Sequence, residues 1–167
     1  MKVVIRDVTT ADYGAVSALN QQGLPQVNQL PVESVRWFAQ NAACFRVAEM
    51  QGKLVGVLIA VTATCGYQSQ YFLWFAERYA EFLYIDRIVV AEQARGQRIA
   101  WQLYEDVERC ARKLSLPLVA DVYSNPPNDV SLTFHKRFGF CRVGRQWVEN
   151  NTKEVAKFEK PLDGSAG

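Results

Sequence analysis

The residues best suited to chemistry lie where an apolar run, Ile88-Val89-Val90, passes through Ala91-Glu92-Gln93-Ala94-Arg95-Gly96-Gln97-Arg98 into a helical pattern opened by Ile99 and Ala100. A strand, a loop with one glycine and two arginines, and a helix together describe an anion site. Unpaired N–H groups and the positive end of the helix dipole meet at a helix's first turn, and Gly96 lets a phosphate approach the backbone. Neither the glycine-lysine loop of nucleoside triphosphate sites nor the triple-glycine dinucleotide fingerprint is present. The phosphate need not be a nucleoside triphosphate.

The elements that must hold this loop can be read from periodicity. Residues 3–8 are short and β-branched, and Thr9-Thr10-Ala11-Asp12 offers an N-cap to the helical set Tyr13, Val16 and Leu19. Val32, Val35, Trp37 and Phe38 mark a second helix ending before Cys44, and residues 45–50 and 54–62 form a hairpin turning at Gln51-Gly52-Lys53. Residues 67–84 hold eight of the chain's twenty aromatic residues. Tyr71, Trp74, Phe75, Tyr79 and Phe82 recur there at spacings of three and four, so a short helix feeds the apolar strand 82–90, whose only charges are Asp86 and Arg87.

Beyond the loop, Ile99, Leu103, Val107, Cys110 and Leu114 make one apolar stripe. Residues 117–123 read as a strand, 124–128 as irregular around Pro126-Pro127, and 129–138 as a helix stopped by Gly139. Residues 141–148 and 153–158 close the chain as a hairpin around Asn150-Asn151. The long elements order as β-α-α-β-β-β-α-β-α-β-β, an α/β protein with a mixed sheet and one right-handed strand-helix-strand crossover.

Composition narrows the function. At 167 residues, 49% hydrophobic and 22% charged, the chain has the stock for one domain over residues 1–162 and a flexible tail over 163–167. A net charge of +2 is too small to carry nonspecific binding to nucleic acid or an anionic membrane. The apolar runs near Val55 and Leu83 are too short to span a bilayer. A single histidine, His135, and cysteines at 44, 65, 110 and 141 show no metal-ligand spacing, so no metal site is expected. Strand-like sequence begins directly after Met1, and a reduced, cytoplasmic protein is expected.

The segment Arg95-Gly96-Gln97-Arg98-Ile99-Ala100 resembles the signature loop of the GNAT superfamily of acyl-CoA-dependent N-acyltransferases. Arg98 stands where that loop commonly has glycine. The neighbours agree, because Asn128-x-x-Ser131 and Phe134-His135-Lys136-Arg137-Phe138-Gly139-Phe140 resemble the family's later block, and the element order fits over nearly the whole chain. The resemblance implies a mostly antiparallel sheet of about seven strands, flanked by about four helices, with the parallel crossover after the cofactor strand. It also implies acetyl-CoA as acyl donor and no metal. Backbone groups of Ile88, Val89 and Val90 would pair with the pantetheine amides, and N–H groups from Arg95, Gly96, Gln97, Arg98, Ile99 and Ala100 would cradle the pyrophosphate. Asn128 and Ser131 would contact the pantetheine arm.

In such enzymes an amine attacks the thioester directly in a ternary complex, without a covalent enzyme intermediate. That requires a proton acceptor, an oxyanion donor and an acid for the sulfur. Asp86, four residues before Val90 and on the same strand face, is the candidate base, and the competing reading is a structural ion pair with an arginine. His135 stands where the family often has a tyrosine acid; it is either that acid or a polar residue on an exposed helix face. Tyr123, then Tyr104, are substitute acids. Tyr67, Tyr71, Trp74 and Tyr79 would wall an acceptor pocket for a cationic amine, or form a satellite core or a homodimer contact. The expected activity is N-acetylation of a primary amine on a small molecule or peptide. An acyl-CoA-binding sensor is the rival, and a small dinucleotide-binding protein a third reading.

Overall fold

In the computed structural model, which describes residues 2–162, a two-residue turn sets the frame of the N-terminal half. Strands β2 (Cys44–Met50) and β3 (Lys53–Thr62) pair antiparallel with Met50 opposite Lys53, leaving Gln51 and Gly52 at φ of +53° and +77°. Two left-handed residues in succession match the twist of the flanking strands, which is why a glycine serves at the second position. Strand β1 (Val4–Asp7) adds to the free edge of β2, Ile5 facing Ala48.

The described residues form two compact units. The first runs to Val61 and includes Ile85–Cys110; the second joins Thr62–Tyr84 to residues 111–162. The first holds α1 (Tyr13–Asn20), α2 (Val32–Asn41), most of β4 (Leu83–Val90) and most of α4 (Ile99–Leu114). The second holds α3 (Gln70–Ala76), β5 (Leu118–Asn125), α5 (Asp129–Phe138), β6 (Cys141–Val148) and β7 (Lys153–Lys160). The strands form a seven-stranded sheet in the order β1-β2-β3-β4-β5-β7-β6. Strands β4 and β5 run parallel, with Leu83 facing Leu118, and α4 lies between them in sequence as the expected crossover. There are five α-helices among the described residues rather than about four, the additional one being the short aromatic helix α3.

Two sequence expectations need correcting. Strand β5 extends through Ser124 and Asn125, because a register shift after Tyr123 keeps Asn125 paired with Glu154 of β7. On α4 the buried stripe runs through Ile99, Leu103, Tyr104, Val107 and Ala111, whereas Leu114 is 46% exposed, since steps of four along a helix carry the buried face to Ala111. Other local signals act as read. Gly139 caps α5 at φ +109°, with the Phe140 N–H donating to the His135 carbonyl, a closure that a side chain at Gly139 would strain. No helix of the described residues is long and apolar enough to cross a membrane.

Candidate functional site

The anion loop belongs to the first unit and is held from beneath. Gly56 of β3 has no side chain where Ile99, Leu103 and Ala48 converge; a Cβ there would lie 3.1 Å from Leu103 and 3.2 Å from Ile99. Close seating of α4 follows from that absence. Arg46 of β2 then fixes the rotation of α4, its Nε and Nη2 donating to Asp106 at 2.8 and 3.1 Å. At the strand end, the Ala91 N–H donates to the Val55 carbonyl at 2.8 Å, and a short 3-10 turn, Glu92–Ala94, leads into the loop.

Within the loop, Gly96 and Arg98 both adopt left-handed backbone, φ +81° and +61°. A Cβ on Gly96 would meet nothing within 4 Å, so glycine is needed there for backbone conformation and not for space. Arg98 takes a conformation that favours glycine, the residue common at this position of the signature. Its guanidinium lies 5.3 Å from the Trp101 ring. The Gln102 N–H donates to the Arg98 carbonyl at 3.0 Å, which places the Ile99 and Ala100 N–H groups in the opening turn of α4. Arg95, Gly96, Gln97 and Arg98 are all exposed, above a buried Ile99. Arg95 donates through Nε to the Val90 carbonyl and through Nη2 to the Gln22 carbonyl, both at 3.4 Å. Gln22, which no motif or periodicity singles out, accepts the Glu92 N–H through its side-chain oxygen at 2.8 Å.

On β4, Val89 is buried against Gly23, while Ile88 and Val90 are half-buried. Asp86 accepts from Arg87 Nε at 2.9 Å, with side-chain exposures of 6% and 5%, so the ion pair foreseen as the competing reading is present. Asp86, residues 88–90 and residues 95–100 are therefore gathered in this first unit.

The remaining candidates, Tyr104 of α4 excepted, belong to the second unit. Lys157, fully buried, donates to the Tyr71 carbonyl and to Asp121 Oδ2, each at 3.1 Å. Its Nζ also lies 5.6, 5.4 and 5.2 Å from the Tyr71, Trp74 and Phe75 rings. Burial pushes the lysine's pKa down, and Asp121 offsets part of that. The aromatic face expected to hold an acceptor cation is thus in contact with the chain's own. Trp74 also carries Arg78 at 4.0 Å and packs so closely on Gly144 that a Cβ there would stand 2.6 Å away. Tyr79 donates to Glu159 at 2.9 Å, and burial, with that carboxylate, has its hydroxyl pKa pushed up to about 12. The Tyr67 ring packs on Phe72 at 5.5 Å. Tyr71 and Tyr123 place their hydroxyls 3.2 Å apart, and burial raises the Tyr71 pKa further above its ordinary value.

His135 is not on an exposed face, being 4% exposed. Its Nδ1 donates to the Ser131 carbonyl at 2.7 Å, its ring stacks on Phe158 at 5.9 Å, and Phe140 meets it edge-on at 5.2 Å. Burial lowers its pKa, so the ring is neutral at pH 7. Asn128 Oδ1 accepts the Ser131 N–H at 3.3 Å and thereby caps α5. Tyr104 is 1% exposed on α4. No group of three or more His, Cys, Asp or Glu side chains among the described residues is gathered as a metal ion requires.

A strand, a left-handed glycine loop and an exposed helix start carry two arginines, and the sequence model of the Acetyltransferase (GNAT) family matches residues 14–140. The chain belongs to the GNAT acetyltransferase family. Among solved structures, the GNAT chain resembles Ard1 from Thermoplasma volcanium at a TM-score of 0.76 and 16% identity, over 98% of this chain and 100% of that one. It resembles the ribosomal-protein-alanine N-acetyltransferase from Brucella melitensis at a TM-score of 0.75 and 21% identity, covering 95% and 99%. A third is Arabidopsis thaliana Naa50 in complex with the bisubstrate analogue CoA-Ac-MVNAL, at a TM-score of 0.74 and 16% identity, covering 97% and 100%. At these identities the likeness is one of fold. Among curated proteins, none matches this sequence.

Proposed function

We propose that this GNAT chain is an acetyl-CoA-dependent N-acetyltransferase acting on a primary amine in a ternary complex. The observation that carries the reading is the pair of left-handed residues, Gly96 and Arg98, turning an exposed loop into the N-terminus of α4. That backbone suits a pyrophosphate, which the N–H groups of residues 95–100 would bind, with the Arg98 guanidinium beside them. Backbone groups of residues 88–90 would hold the pantetheine. Acetyl-CoA supplies an activated carbonyl with a thiolate leaving group. Asp86 would take the proton of the ammonium, and Tyr123, with its hydroxyl held by Tyr71, would donate one.

The neutral, ring-packed His135 is left out of the proton chemistry. The acceptor is sought among amines and peptide N-termini, because the neighbours' names refer to a ribosomal-protein alanine and to a peptide-bearing CoA analogue. A reducing, cytoplasmic setting is part of the proposal and leans on the four cysteines, none of which is drawn into a disulfide.

A second reading, an acyl-CoA-binding sensor, is favoured by the burial of His135 at the family's usual acid position. Release of free CoA from acetyl-CoA, measured against a panel of small amines and peptides, tests both. Tight acetyl-CoA binding by calorimetry with no turnover on any acceptor would replace the enzyme reading by the sensor.

A further inference from the structure

Arg87 is 6% exposed in the middle of β4. Successive strand residues point to opposite faces, and burial along β4 alternates accordingly, with Arg87 and Val89 buried and Asp86, Ile88 and Val90 half-buried. The Arg87 guanidinium nonetheless spans to Asp86, Nε donating to Oδ2 at 2.9 Å. Its far end serves other partners. Nη1 donates to Asn20 Oδ1 at 2.9 Å and to the Asn28 carbonyl at 3.0 Å. Asn20, fully buried at the end of α1, donates through Nδ2 to the same carbonyl at 2.8 Å. The Phe38 ring of α2 lies 5.8 Å from the guanidinium carbon.

A carboxylate alone would compensate a buried arginine. Here the same fork also grips the segment between α1 and α2 through a carbonyl and a buried asparagine. A planar guanidinium can hold two such sites in fixed relation, which a lysine's single point of charge cannot. We infer that Arg87 is a positioning residue: it fixes the direction of the Asp86 carboxylate and makes that direction depend on the seating of residues 20–28. Displacing the Asn28 carbonyl takes an acceptor from Nη1 and turns Nε away from Asp86. The inference rests on Asp86 being the base in the function proposed above.

A double-mutant cycle on the full chain tests it, with acetyl-CoA and the best amine found, and kcat expressed per CoA-binding site counted by calorimetry. Asp86→Asn lowers kcat by about 100-fold or more, as removal of a general base does. Asn20→Ala alone lowers kcat about 5- to 10-fold, leaves the KM for acetyl-CoA within about twofold, and causes no further loss in the Asp86→Asn background. Arg87→Lys costs more than Asn20→Ala. Losses that multiply in the double variant overturn the positioning role and leave the base standing. An Asp86→Asn protein with the parent kcat overturns both. Should Arg87→Lys fail to fold, the Asn20 cycle decides by itself.

Discussion

Lys157 of β7 has no exposed surface, and its ammonium donates to Asp121 of β5 at 3.1 Å inside a box of aromatic rings. Removing one member of such a pair leaves the other charge uncompensated, a more damaging change than removing both. Lys157→Met is expected to destabilise the fold by about 2–4 kcal/mol, and adding Asp121→Asn to restore part of the loss. Urea unfolding of the single and double variants checks this. Equal stability of Lys157→Met and the parent would show that the pair contributes nothing.

The anion loop separates backbone strain from charge. Arg98→Gly should raise stability by up to about 1 kcal/mol, because glycine adopts the left-handed conformation without the Cβ penalty. The same change should weaken acetyl-CoA binding several-fold if the guanidinium meets phosphate. Thermal unfolding and calorimetry report the two effects independently, and unchanged affinity would remove Arg98 from the phosphate site.

His135 gives a pH signature. Its pKa is lowered in the folded state by burial, so the unfolded chain binds the extra proton first. Stability is then full above the unfolded value near ~6.5 and falls as pH drops below it. Between pH 7 and 5 the urea midpoint of the parent should decrease, and that of His135→Phe should decrease less. Turnover of His135→Phe per folded molecule should stay within a few-fold of the parent; a collapse would return the histidine to the proton chemistry.

Asp12 behaves in the same sense in a more acidic window. The Arg6 guanidinium, donating at 2.8 and 3.0 Å, holds its carboxyl down at about 2. Stability from this pair is present above the unfolded value near ~4 and is lost as pH falls toward 2. It amounts to about 2 kcal/mol at most, since Arg6 is partly solvated. Asp12→Asn should flatten the stability profile between pH 4 and 2, measured by denaturant titration.

Much of this was legible in one sequence, for identifiable reasons. Gly52, Gly96 and Gly139 mark left-handed backbone that few residues tolerate, so the hairpin, the loop and the end of α5 announce themselves. The helical spacing of the rings around Phe75 likewise exposes α3. What the sequence hides are partners far apart along the chain. Lys157 sits in Val155-Ala156-Lys157-Phe158, where nothing local shows that its ammonium turns inward to Asp121 and the rings. Gln22 meets Glu92 through a backbone N–H, which leaves no mark on residue types. The burial of His135 depends on Phe158, twenty-three positions away, a neighbour that helical periodicity does not reveal.

Helix α3 is fastened by its main chain. Lys157 grips the carbonyl of Tyr71, and Gln146 donates to the carbonyl of Gln70 at 3.2 Å. Every amino acid carries that carbonyl, so these ties are blind to which side chain occupies either position. Apart from the contacts its own side chains make, the aromatic helix can therefore exchange residues on its outer turn while keeping its moorings. The mount and the side chains it carries can thus change separately, without the scaffold being rebuilt.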